Sequence, residues 1–165
     1  MAEVRISGLE QLAHALENLP KVIAKRYLRR AMVAGVTPIK EDARARAPVL
    51  KTPDNRRIEG ALRDAIIIYR DRSPGTAAEK YYVLVRKIKL NRAQKRIIRT
   101  LNRAGKSITV LGDAFYGRYV EFGTKKMAAK PFMRPAFESQ KENAVNQFAE
   151  SLRTSLPDAV NEAKS

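Results

Sequence analysis

The stretch Tyr119-Val-Glu-Phe-Gly-Thr-Lys-Lys-Met-Ala-Ala-Lys-Pro-Phe-Met-Arg-Pro-Ala-Phe-Glu138 constrains the fold most. It holds aromatics, a glycine, two prolines and the isolated carboxylate of Glu121 in a run that no plain helix or strand requires. Gly123 lets the backbone take positive φ or approach another chain closely. Pro131 and Pro135 each fix φ and bias the preceding residue toward extended geometry. Together they predict a rigid elbow that ends one element and starts a C-terminal helix.

The segments on either side of the elbow read as helices and a small sheet. Ser7-Gly-Leu-Glu10 has the form of a capping box, and Leu9, Leu12, Leu16 and Leu19 then repeat at helical spacing. Pro20 either closes this short helix or opens the next at its first turn. A second helix is predicted over 21–45, with Ile23, Tyr27, Ala31, Ala34 and Ile39 among its buried side and Ala47-Pro48 as its stop. Residues 51–59 are polar and aperiodic and read as an exposed loop. Residues 65–69 and 81–85 are β-branched and aromatic, and turn chemistry between them predicts an antiparallel pair. Residues 107–111 read as a further short strand. Residues 114–122 fit either strand or helix, because their periodicity does not decide. Phe137, Ala144, Val145, Phe148 and Leu152 predict a C-terminal helix ending near Pro157, with 158–165 frayed or used in a contact. The expected class is α+β: two N-terminal helices, a small antiparallel sheet, an inserted basic amphipathic helix and a C-terminal helix. The length of 165 residues predicts one domain.

The inserted helix follows from the charge pattern. The net charge is +16, and no acidic residue lies between Glu79 and Asp113. At about 100° per residue, Lys89, Arg92, Lys95, Arg96, Arg99, Arg103 and Lys106 fall within an arc of roughly 120°. Leu90, Ala93, Ile97, Leu101 and Ala104 occupy the other side, and Gly105 sits where a helix commonly stops. A cationic stripe of this kind suits the phosphate backbone of double-stranded DNA through counterion release. It equally suits solvent or an acidic neighbouring protein. Membrane binding is not expected, because no Trp or Phe anchors the apolar side and no apolar run is long enough to span a bilayer. The N-terminus lacks the layout of a signal peptide, and the reading is of a soluble chain.

Catalysis has little to work with. The absence of cysteine excludes disulfides, thiolate metal sites and cysteine nucleophiles. The one histidine, His14, falls inside the first helix with no second imidazole to share a metal. There is no nucleophile elbow and no Walker-type phosphate loop. Glu121, Asp113 and Asp64 can be assembled on paper into a magnesium site, but so can many sets drawn from 17 acidic residues. Glu121 reads as an ion-pair partner or a cap for backbone amides. No cofactor and no metal are expected, and the chain is not read as an enzyme.

The segments Tyr119-Val-Glu-Phe-Gly-Thr124 and Pro131-Phe-Met-Arg-Pro-Ala136 resemble the signature of a phage neck or tail-completion family typified by gene product ten of HK-ninety-seven-type phages. Leu19-Pro20, Ala47-Pro48 and the two strands follow the family's order of elements, and the match is densest over 119–137. The chain departs from the pattern after Ala47-Pro48. Relatives there show threonine-glycine-x-leucine, whereas this chain has Thr52-Pro53 and later Gly60-Ala61-Leu62, which implies a longer loop. The basic segment 89–106 looks like an insertion to which the family pattern assigns no role.

The resemblance implies a structural virion protein at the head–tail interface of a long-tailed double-stranded DNA phage or prophage, present in host cytoplasm during assembly. It implies a homo-oligomeric ring, with a hexamer favoured over a dodecamer, around the DNA channel. The implied neighbours are head-closure or connector proteins and tail-terminator or tail-tube proteins. Glu121, Phe122, Gly123, Thr124, Pro131, Phe132, Arg134 and Pro135 are the expected motif and subunit-contact residues. Among them, Phe122 and Phe132 are expected as buried anchors and Glu121 with Arg134 as ionic partners. A non-virion, basic nucleic-acid-binding protein is the alternative. It lacks any recognisable helix-turn-helix, zinc-finger or RNA-binding motif in this chain.

Overall fold

The computed structural model describes residues 9–49, 60–72, 79–86 and 116–164. In chain order the elements are α1 (Leu9–Glu17), α2 (Lys21–Arg46), α3 (Ala61–Ala65), β1 (Ile66–Arg70), β2 (Tyr81–Val85), α4 (Gly117–Phe122) and α5 (Met133–Lys164). The class is α+β and mainly helical, with a single two-stranded sheet among the described residues. Asp71 N–H bonds to Lys80 C=O, and Arg86 N–H bonds to Ala65 C=O. These bonds at the two ends fix an antiparallel register that sets Tyr69 opposite Tyr82. The expected loop 51–59, the strand at 107–111 and the basic segment 89–106 lie outside the described residues, as do Ser7 and most of the turn between β1 and β2.

The chain divides into two compact units. Unit 1 comprises Met1–Asp42, Ile68–Val83 and Phe137–Ser165. Its apolar interior forms because α1, α2 and α5 each bring a stripe at helical spacing. Leu12, Ala31, Ala149 and Leu152 are buried together with Leu16, Phe148 and Leu156 against them. Leu19, Tyr27 and Ala159 form a second cluster with Ile23, Ala24 and Ala163. Within this unit α2 and α5 run antiparallel. Arg26 pairs with Glu162 near one end, Gly35 meets Ala144 and Phe148 midway, and Ser139 Oγ donates to Asp42 at 2.5 Å. The small residues on α2 are what permit this approach. A Cβ placed on Gly35 would stand 2.9 Å from both the Ala144 carbonyl oxygen and Phe148 Cβ. Glu79 ties the sheet side of unit 1 to α2, accepting from Arg70 Nε at 2.7 Å and Arg29 Nε at 3.0 Å.

Two helices continue through prolines. Pro38 lies inside α2 and Pro157 inside α5. Each lacks the N–H that would reach the carbonyl four residues back, a cost of about 3 kcal/mol relative to Ala in a helix interior. Packing of the two helices offsets it, since Ala31 on α2 and Leu152 and Ala159 on α5 are buried in the apolar clusters of unit 1. The predicted stop near Pro157 is therefore incorrect. Ala159 is fully buried against Leu19 and Tyr27, so the segment is used in a contact rather than frayed.

Unit 2 comprises Ala43–Ile67 and Leu84–Ala136. Its buried residues include Ala43, Ala47, Ala61, Leu62, Ala65, Ile66, Phe132 and Ala136. Ala65 closes α3 rather than opening the first strand, so β1 starts one residue later than predicted. The Arg44 Nε donates to the Ile66 carbonyl at 3.2 Å, which ties the end of α2 to the start of β1. The ambiguity over 114–122 resolves to helix for Gly117–Phe122. Gly117 is buried, and a Cβ there would stand 3.1 Å from Leu62 Cδ1 and 3.4 Å from Val85 Cγ1, so this helix starts in close contact with α3 and β2.

Candidate functional site

The site is the elbow of unit 2, residues 117–136. Helix α4 ends at Gly123, whose N–H returns to the Tyr119 carbonyl at 2.8 Å. Gly123 has φ 74° and ψ −179°, a combination open essentially to glycine alone. A Cβ there would also meet Ala129 N at 2.9 Å and Met127 O at 3.0 Å. The chain then folds into a tight turn in which Thr124 and Met127 exchange both backbone bonds, at 2.8 and 3.2 Å. Thr124 Oγ1 also accepts from Lys126 N–H at 3.3 Å. Lys130 N–H bonds the Val120 carbonyl at 2.8 Å, which straps the returning segment to α4.

Glu121 completes the elbow by capping α5. Its Oε2 accepts from the backbone N–H of Phe132 at 2.7 Å and of Met133 at 3.0 Å, while Oε1 accepts from Arg134 N–H at 3.0 Å. A helix leaves its first four N–H groups without intrahelical partners. Here three of them bond Glu121 and the fourth does not exist, because that residue is Pro135. The next amide, Ala136 N–H, makes the first intrahelical bond, to Phe132 C=O at 3.3 Å. Proline at this place is tolerated because its missing N–H would have had no partner. The predicted extended bias on Arg134 is overridden, and the helix begins at Met133, inside the proline pair. Partial burial pushes the Glu121 pKa up. The three amide bonds and the Arg134 charge outweigh that, and the carboxyl titrates below its ordinary range. The negative charge also stands at the positive end of the α5 dipole.

The two expected aromatic anchors differ in exposure. Phe132 is fully buried, whereas Phe122 is 74% exposed, so the expectation that both are buried fails for Phe122 in the single chain. The positive-φ turn at Gly123 and the bonds of Glu121 hold neighbouring residues inward, and Phe122 falls on the outer side of α4. Arg134 acts on Glu121 through its backbone N–H and its charge, while its own side chain is exposed. Pro131 and Thr124 are exposed, and Pro135 is half-buried. The cationic residues Lys89, Arg92, Lys95, Arg96, Arg99, Arg103 and Lys106 lie outside the described residues.

The sequence reading missed the surface around Phe122. Tyr119 and Met127 are 42% and 43% exposed, and Lys125, Lys126 and Lys130 are exposed beside them. The turn Thr124-Lys-Lys-Met127 contains no Gly, Pro, Asn or Asp and so carries no ordinary turn signal. Charge is also divided unevenly. Unit 1 contains 13 Lys and Arg against 12 Asp and Glu, and unit 2 contains 20 against 5, which together account for the 33 and 17 of the chain. The excess belongs to unit 2, and in the elbow the one carboxylate is already committed to the cap.

His14 is exposed on α1, 3.5 Å from Glu17, and Asp64 lies 3.6 Å from its neighbour Arg63. Asp113, the third carboxylate of the paper magnesium site, lies outside the described residues. Among the described residues, no group of three or more His, Asp or Glu side chains could hold a metal ion, and no helix is long and apolar enough to cross a membrane.

No curated protein and no solved structure matches the chain. Residues 10–123 match the family described as "Bacteriophage HK97-gp10, putative tail-component". The matched span takes in α1 through α4 and ends at Gly123, so it includes the first half of the elbow and leaves the Pro131–Pro135 half outside. With most of its length inside that match, the chain belongs to the HK97-gp10-like family of bacteriophage tail components.

Proposed function

We propose that the chain is a structural protein of the neck of a long-tailed double-stranded DNA phage or prophage. There it completes the tail or joins it to the head as a homo-oligomeric ring around the DNA channel, a hexamer being favoured. Host cytoplasm is its place before assembly and the virion its place after. The observation that carries the reading, beside the tail-component family, is the elbow itself. A backbone fastened by a three-amide cap, a helix-terminating glycine and a bonded turn holds the aromatic ring of Phe122 out in solvent. A rigid mount for an exposed aromatic suits a protein whose work is contact, because little ordering entropy remains to oppose association.

A closed ring needs two different, complementary surfaces on each copy. The division of the chain into a nearly neutral unit and a strongly cationic one supports such a pairing, since cationic unit on cationic unit would be repulsive. The test is deletion of the gene in its phage, with electron microscopy of the lysate. The expected result is filled heads and separate or incomplete tails, restored to joined particles by the wild-type chain, which then localises to the neck. Normal particles without the chain would overturn the proposal. If the protein were absent from particles and bound duplex DNA tightly, the non-virion nucleic-acid-binding reading would replace it.

A further inference from the structure

The elbow has the anatomy of a protein contact. Three apolar side chains, Tyr119, Phe122 and Met127, are exposed within nine residues, and Lys125, Lys126 and Lys130 are exposed in the same segment. Tyr119 and Phe122 are three apart on α4 and share a side of the helix. Interfaces concentrate binding in a few aromatic anchors ringed by polar groups that exclude water. The charges then select the partner. Among the described residues, unit 2 holds nine Lys and Arg against Asp64 and Glu121, and Glu121 already caps α5. A partner that seats on Phe122 must therefore accept three lysines at its rim. A second cationic unit of the same chain cannot do so without repulsion, and unit 1 is close to neutral. Duplex DNA would satisfy the lysines and leave Phe122 and Met127 wet.

We infer that the elbow is a docking surface for a net-acidic protein other than this chain, with Phe122 as the anchor and Lys125, Lys126 and Lys130 as the steering rim. This rests on the neck reading and names the partner's chemistry: an acidic face, with an apolar recess, on an adjoining head-closure or tail protein. Contacts between copies of this chain then use other surfaces.

The test uses the full chain and, as probes, the purified head-closure and tail-tube proteins of the same phage, with random-sequence duplex DNA as the competing class. One acidic neighbour is expected to bind the wild type, more weakly as salt rises. Phe122→Ser, and separately Lys125→Glu with Lys126→Glu, should each weaken that binding by at least about tenfold. Melting temperature and helical circular dichroism should be unchanged in both variants. Val22→Ser, at a residue 83% exposed in unit 1, should leave binding unchanged. The inference is overturned if both elbow variants bind the neighbours as the wild type does, or if the wild type binds neither. It is also overturned if the elbow variants lose duplex binding or self-association instead. Particle incorporation separates the two proposals. Wild-type chain absent from particles defeats the neck reading, whereas wild-type and elbow-variant chains incorporated equally defeat only the docking site.

Discussion

Glu121 Oε2 stands 2.7 Å from the backbone nitrogen of Phe132, eleven residues further along the chain. This contact joins a carboxylate on a short helix to the residue just before a long one, and the motif between them is organised around it. Gly123 turns the chain, Lys130 straps it back to α4, and Pro135 supplies no fourth amide to be satisfied. If the cap holds the elbow, Glu121→Ala should destabilise the protein by about 1–3 kcal/mol, since bonds to a charged acceptor are worth more than neutral ones. Glu121→Gln, which keeps one acceptor oxygen and loses the charge, should fall between Ala and wild type. Urea unfolding of the three proteins checks the order. A Gln variant equal to the wild type would show that the charge contributes nothing.

Acid should expose the same bond. Glu121 is lowered from 4.5 because its amide bonds and Arg134 outweigh burial, and Glu79 is lowered chiefly by its hydrogen bond from Arg70. Between the folded and unfolded pKa values the unfolded chain binds more protons, so stability rises with pH in that window. The contribution of each group is fully present above its unfolded pKa and disappears as pH falls through its folded pKa. Melting temperature should therefore hold from neutrality down to about pH 5 and fall below about 4.5. The +16 chain also gains self-repulsion in acid, so the difference between wild type and Glu121→Gln isolates the cap. That difference should shrink as pH drops.

Local patterns in the sequence reached the helices and the strands because those signals lie within a few residues. Leu9, Leu12 and Leu16 mark α1 at helical spacing, Ala47-Pro48 follows the end of α2, and β2 occupies the predicted 81–85. The helix α3 escaped because five residues are too few for a period to show. Pro157 misled because tertiary burial of Ala159 outweighs a local penalty. The sequence leaves the Glu121 carboxylate as an amide cap or an ion-pair partner, but its target is not legible there. A capping box spans three residues, whereas this cap spans eleven to thirteen. The exposure of Phe122 was likewise out of reach, because which side of a six-residue helix faces solvent depends on Gly117 lying against Leu62 and Val85.

Gly35→Ala tests the close approach of α2 and α5 within unit 1. At an exposed helical site the change would stabilise by about 1 kcal/mol through propensity. Here the new Cβ would lie 2.9 Å from a backbone oxygen and from Phe148 Cβ. Neither can yield without moving the helix, and overpacking of this kind costs about 1–3 kcal/mol. The clash should win, giving a net loss in thermal unfolding. A more stable variant would mean that the helices separate easily, and the small-residue contact would then have no structural role.

The two phenylalanines of the elbow sit ten residues apart in one motif and differ sharply in burial. Phe132 is fully buried immediately before α5, so Phe132→Ala opens a cavity and should cost about 3–5 kcal/mol. Phe122 is 74% exposed on the end of α4, so Phe122→Ala should change stability by no more than about 0.5 kcal/mol. Paired chemical denaturation curves measure both. Equal and large losses would mean that Phe122 packs into its own chain in solution, and an anchor that is already buried has no surface left to offer a partner. A large loss at Phe132 with none at Phe122 would leave an aromatic ring that costs nothing to remove from the isolated protein. Its position on a rigid mount would then be explained by assembly, where the same substitution should block particle joining in the phage.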